Sequence, residues 1–246
     1  VHSGGASGYV PSSFRVARKL LSSLEDENTG EILLEELHTK IPDHRVKETE
    51  KLVSILGEEV VYEFPWKNGM KPSTNDKVEG VLRRTWRPAL SIVGSDGLPP
   101  TANAGNVLRP YTTLQLSMRI PPMVDAKKAR DAIKKKLTES IPYEASVKLH
   151  FEEAADGWNA PETSPWLIKA IEKASENYFD EKPCSISEGG TIPFMAMLGE
   201  RYPKAQFVIT GVLGPQSNAH GPNEFLHIPF AKKLTCCISS IISDFK

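Results

Sequence analysis

The sequence predicts an α+β fold: an antiparallel sheet with helices on one face, followed by a region where helix and strand alternate. Three observations carry this. Residues 111–119 set apolar Leu114, Leu116 and Met118 against polar Thr113, Gln115 and Ser117, the period-2 pattern of a half-buried strand. Residues 145–151 alternate again, and between the two lies 125–137, Lys-rich and amphipathic at helical spacing. After a polar, Gly- and Pro-containing connection (154–165), the pattern reads helix, loop, helix, strand, loop, helix. That connection suggests a boundary, giving domains 1–153 and 154–246.

The elements follow in order. His2 to Gly8 is rich in Gly and Ser and reads as a loop or strand edge. Pro11-Ser12-Ser13 opens a helix in which Phe14, Val16, Ala17, Leu20, Leu21 and Leu24 recur on one face. Residues 47–56 read as a helix, and Val60-Val61-Tyr62 as a short apolar piece. Around Pro88 two extended pieces are expected, 82–86 and 89–93, then a long loop from Gly94 to Asn106. In the second region helices are expected at 165–179, with Ser164 as cap and Pro165 in the first position, near 192–198, and at 229–242. Residues 206–213 read as a buried strand. One clear strand in a region of this size looks like half of a domain.

Composition excludes some classes. Thirty Lys and Arg nearly cancel 31 Asp and Glu, so no basic face for nucleic acid is expected. No apolar run approaches the ~20 residues of a membrane span. Cys184, Cys236 and Cys237 form no CxxC and no disulfide framework. The adjacent pair is expected to be reduced, in or near the core, which points to a reducing, cytoplasmic setting. The N-terminus lacks an initiator Met and resembles neither a signal nor a transit peptide, so a truncated or processed chain is expected.

Candidate chemistry concentrates in four stretches. His220 sits in the Gly/Pro/Asn-rich run Gly214 to Glu224, after the 206–213 stretch, where an imidazole can ligate a metal or move a proton. Glu188-Gly189-Gly190-Thr191-Ile192-Pro193 precedes a helix, where backbone N–H groups can approach an anion; a plain Gly-Gly turn with a Thr cap reads equally well. Asn106 precedes the 111–119 strand as a turn residue would. Arg119, at that strand's end before two prolines, is a carboxylate clamp or a surface charge. His38, His44, His150 and His227 show no metal-ligand spacing, and Glu152-Glu153 point to opposite faces of an extended chain.

Four ordered motifs carry a resemblance: His2-Ser3-Gly4-Gly5; Asn106-Val107-Leu108-Arg109-Pro110 leading to Ser117-Met118-Arg119; Glu188-Gly189-Gly190-Thr191-Ile192-Pro193; and Asn218-Ala219-His220-Gly221-Pro222-Asn223-Glu224. With them the chain resembles the di-zinc aminoacylase/carnosinase family of metallopeptidases, nearest its carnosinase-like dipeptidase branch. The resemblance implies that 1–153 is a lid domain that makes a homodimer. It implies that 154–246 is the C-terminal half of an α/β catalytic domain. By the same resemblance His220 is a zinc ligand, and His2 reaches the partner's site to stabilise an oxyanion. Asn106 lies near the substrate, Arg119 holds the substrate carboxylate, and Glu188, Gly189, Gly190 and Thr191 belong to the loop completing that pocket. The family's remaining metal donors and its general base lie upstream of Val1. The implied parent is a hydrolase of dipeptides or N-acyl amino acids with two zinc ions (manganese or cobalt as alternatives). The isolated chain is expected to be inactive without that N-terminal half. The competing expectation is a non-catalytic dimerisation or binding module of the same descent.

Overall fold

A computed structural model describes residues 1–62, 64–188, 193–213 and 217–245. The chain divides into two units: Val1–Trp158 with Ile186–Phe194, and Asn159–Ser185 with the chain from Met195 onward.

The first unit opens with α1 (Ser3–Ala6), capped by the His2 ring, and α2 (Ser13–Leu21), whose Arg15 N–H donates to Ser12 Oγ at 3.2 Å. His2 also makes an antiparallel bridge with Val107, so the segment expected as loop or strand edge is an edge that runs into a turn of helix. α3 (Asp43–Leu56) starts four residues before the expected 47, α4 (Glu59–Tyr62) takes up the short apolar piece, and α5 (Lys77–Thr85) follows.

α5 corrects the sequence expectation, since residues 82–86 are not extended. Asp76 accepts from the N–H groups of Val78 (2.9 Å) and Glu79 (3.1 Å), satisfying two orphan donors of a first helical turn. Glu79 accepts from Arg83 one turn later and from Arg87 at 2.7 and 2.8 Å. Val81, Leu82 and Thr85 are buried along one face. The cap and the ion pairs decide for helix over the extended piece expected at 82–86.

β1 (Ala89–Asp96) and β2 (Thr113–Arg119) pair antiparallel from Ala89↔Arg119 to Asp96↔Thr113, with an irregularity between Ile92 and Gly94. The expected loop from Gly94 therefore begins later, and it includes a 3-10 turn at Thr101–Asn103. α6 (Ala126–Glu139) starts from an Asp125 cap, its Lys128 N–H donating to the carboxylate at 2.9 Å.

The core gathers Leu24, Ile32, Leu34, Leu37, Val124, Ala129 and Leu137, and Leu90, Leu116 and Met118 from the sheet pack on it with Ile133 of α6. The architecture is thus α+β, a small antiparallel sheet packed against helices. Residues 145–151 alternate as expected, with Val147 and Leu149 half-buried and Ser146 and Lys148 exposed, and Leu149 reaches the core. They form no strand: the periodicity was legible, but no ladder joins this stretch to β1 or β2.

The second unit contains α7 (Pro165–Phe179), α8 (Pro193–Arg201, shared at its start with the first unit) and α9 (Ile228–Asp244). Leu167, Ala170 and Ala174 of α7 pack on Cys237 and Ile241 of α9. The small Ala side chains let the helices approach until Cys237 Sγ reaches the Ala174 carbonyl oxygen at 3.4 Å. Lys173 and Asp244 pair at 2.9 Å beside this contact. Cys237 is buried and its thiol is pushed upward, by burial first and then by the neighbouring Cys236. Cys236 is exposed, which corrects the expectation that both cysteines lie near the core. Residues 206–213 are not a strand either; Ile209 and Leu213 face solvent, and no neighbouring strand pairs with them among the described residues.

Candidate functional site

Two of the candidate residues are brought together by backbone pairing at the edge of the first unit. Leu108 N–H donates to the Val1 carbonyl (2.9 Å) and Ser3 N–H to the Asn106 carbonyl (2.8 Å), so the segment around His2 lies antiparallel to the segment around Asn106. Both side chains are exposed. Gly4 N–H donates to His2 Nδ1 at 3.0 Å. With Nδ1 an acceptor, the neutral ring carries its proton on Nε2 and presents a donor outward.

Several contacts fix this segment at one end of the hairpin. Arg109 Nε donates to the Gly97 carbonyl at 3.1 Å, and Ser13 Oγ donates to the Arg109 carbonyl at 3.1 Å while sharing a 2.8 Å contact with Thr112 Oγ1. Gly97 has φ of 93°, and a Cβ there would meet the Tyr111 carbonyl oxygen at 2.4 Å, so only glycine fits this approach.

Arg119 lies at the other end. It closes β2 opposite Ala89 and is exposed, whereas the Gly97 and Arg109 contacts gather at the Asp96–Thr113 end. Six steps of β2 separate the two ends by roughly 20 Å. One copy of the first unit therefore presents the His2–Asn106 pair and Arg119 at opposite ends of one hairpin.

Glu188 is exposed and belongs to the first unit, next to Ser187, whose Oγ accepts from Trp86 Nε1 at 3.3 Å. Nothing in the motifs marked Trp86; its partner is 101 residues away along the chain. Gly189, Gly190 and Thr191 lie outside the described residues.

His220 is in the second unit, on a turn closed by its own bonds. Phe225 N–H donates to the Ser217 carbonyl (3.2 Å) and Gly221 N–H to the Asn218 carbonyl (2.9 Å). Asn218 Nδ2 donates to the Pro222 carbonyl (2.7 Å), and the backbone N–H of His220 to Glu224 Oε2 (3.0 Å). Asn218, His220 and Asn223 all have φ near 60°, a left-handed conformation that Asn tolerates and His adopts at some cost. The ring is exposed.

A metal centre needs three or four converging donors. Among the described residues, no three His, Cys, Asp or Glu side chains could hold a metal ion together. His220 alone does not make such a site. Two other histidines have structural partners: His38 Nε2 lies 2.7 Å from the Ile32 carbonyl oxygen, and His227 Nδ1 accepts from Phe230 N–H to cap α9. Among the described residues, no helix is long and apolar enough to cross a membrane.

The class follows from comparison with known proteins. The model of the M20 peptidase dimerisation domain matches residues 1–145, and the chain belongs to that family. Among curated proteins, it is 22% identical to the cysteinylglycine-S-conjugate dipeptidase of Corynebacterium striatum over 94% of this chain and 50% of the relative. Among solved structures, it shares the fold of human carnosine dipeptidase 1 (TM-score 0.70, 18% identity, 99% of this chain and 51% of that one). It shares it too with the di-peptidase Dug1p of Saccharomyces cerevisiae (TM-score 0.71, 20% identity, 99% and 51%). The metallo-carboxypeptidase Sso-CP2 of Sulfolobus solfataricus is similar (TM-score 0.69, 20% identity, 98% and 54%). The chain spans about half the length of the relatives it matches.

Proposed function

We propose that this chain is the dimerising and substrate-positioning part of a dipeptidase, and that its active site is completed across a homodimer. The observation that carries the reading is the placement of the His2–Asn106 pair and Arg119 at opposite ends of the β1–β2 hairpin. Residues that serve one small substrate cannot act together from ends about 20 Å apart unless two copies contribute. The dimerisation family and the dipeptidase relatives support the same reading.

In this account, His2 Nε2–H of one copy donates to the oxygen that gains charge when the scissile carbonyl is attacked in the other copy's site. Arg119 pairs with the substrate's free carboxylate, and Asn106 offers an amide near the same substrate. The substrate class is a dipeptide of Xaa-Gly type or an N-acyl amino acid. A metallopeptidase of this class takes a divalent metal, two zinc ions or their manganese or cobalt equivalents. His220 is the candidate donor to it from this chain, and the remaining donors and the base belong to an N-terminal half outside this sequence. The setting is proposed to be cytoplasmic.

Arg119→Ala in the peptidase joined to that half should raise KM for substrates with a free carboxylate and leave the metal content unchanged. Loss of metal with this substitution would remove the role assigned to Arg119. A second reading is a non-catalytic dimerisation module of the same descent, to which the family match over residues 1–145 applies equally. Metal content and Xaa-Gly hydrolysis of the joined halves separate the two.

A further inference from the structure

We propose that Trp86 is a positioning residue: its indole N–H clasps Ser187 and fixes residues 186–188 within the first unit. Trp86 follows the last turn of α5, and only 2% of it is exposed. An indole N–H can only donate, and a buried one calls for an acceptor. The acceptor is Ser187 Oγ at 3.3 Å.

The clasp coincides with an excursion of the chain. Asn159–Ser185 belong to the second unit, Ile186–Phe194 belong to the first, and the chain returns to the second at Met195. Ser187 is half-buried while its neighbours Ile186 and Glu188 are exposed, so among residues 186–188 it is the Ser187 side chain that turns inward. α5 itself is held by the Asp76 cap and by Glu79 with Arg83 and Arg87, which makes Trp86 a firm post. The segment it holds leads into the stretch from which substrate-carboxylate contacts are proposed; that consequence rests on the proposed function, whereas the clasp does not.

Exchange of the Trp86 indole N–H with solvent, followed by NMR on this chain, tests the clasp. Ser187→Ala should raise it about fivefold. Ser187→Thr, which keeps the hydroxyl, should restore protection. Wild-type exchange in Ser187→Ala, or a Ser187→Thr that behaves like alanine, overturns the proposal. In the joined peptidase, Ser187→Ala should raise KM several-fold at unchanged kcat, and an unchanged KM overturns the positioning role. A joined wild-type peptidase without activity would instead remove the proposed function and leave the exchange result standing.

Discussion

Leu37 has no exposed surface, and it sits where residues 24–37, the sheet and α6 meet. Leu37→Ala should lower unfolding free energy by about 2–5 kcal/mol in a urea titration, because the cavity cannot close against neighbours held by three elements. A loss below about 1 kcal/mol would mean that this core is loosely packed. Glu79 gives a pH prediction. Its carboxyl is held below the ordinary carboxylate range, first by the hydrogen bond from Arg87, with charge attraction from Arg87 and the bond from Arg83 adding to it against desolvation. A depressed folded value means that the contribution is present above the ordinary range and is lost as pH falls through the folded value. The groups are partly exposed, so the Glu79–Arg87 contribution is on the order of 1 kcal/mol or less. Acid titration of Glu79→Gln should show a shallower loss of stability below about pH 5 than wild type, and an identical slope would contradict it. At this scale the sequence disclosed chemical type but not partners. His2, Asn106, Arg119 and His220 were legible as candidates, whereas the bond from Trp86 to Ser187 was not, because it forms across 101 residues.

Among the elements, those fixed by local rules were legible and those fixed by neighbours were not. α2, α6, α7 and α9 announced themselves through helical spacing, although Ser164, at the expected cap position of α7, makes no side-chain capping bond. β1 and β2 followed from alternation and Pro88. α5 was misread as extended at 82–86 because the deciding contacts, Asp76 with Glu79 and Glu79 with Arg87, span the element's whole length and reach beyond that stretch. Residues 145–151 and 206–213 carry strand-like sequence without a strand's hydrogen bonds, since a ladder depends on who lies alongside. The second stretch has a measurable consequence. Val208, Ile209, Val212 and Leu213 are exposed, and among the described residues 208–213 make no backbone–backbone hydrogen bond. In the chain by itself, the amides of 208–213 should exchange at least about a hundredfold faster than those of α7 and α9. Protection equal to the helices would show that this stretch already has strand neighbours within the chain.

The whole molecule was legible through the order of four motifs rather than through any one of them. Residues 1–145 match the dimerisation domain, and the likeness to dipeptidases covers nearly all of this chain and about half of each relative. The return of residues 186–194 to the first unit was not legible, because a chain crossing between units leaves no periodic signature. The account's central claim is that one copy's His2 serves the site to which the other copy's His220 contributes. The most direct measurement mixes two inactive variants of the joined peptidase, His2→Ala and His220→Ala, under conditions that exchange subunits. The account predicts that each variant alone is inactive and that the mixture regains dipeptide hydrolysis, since a mixed dimer holds one site with both residues intact. A mixture that exchanges subunits and stays inactive would contradict it.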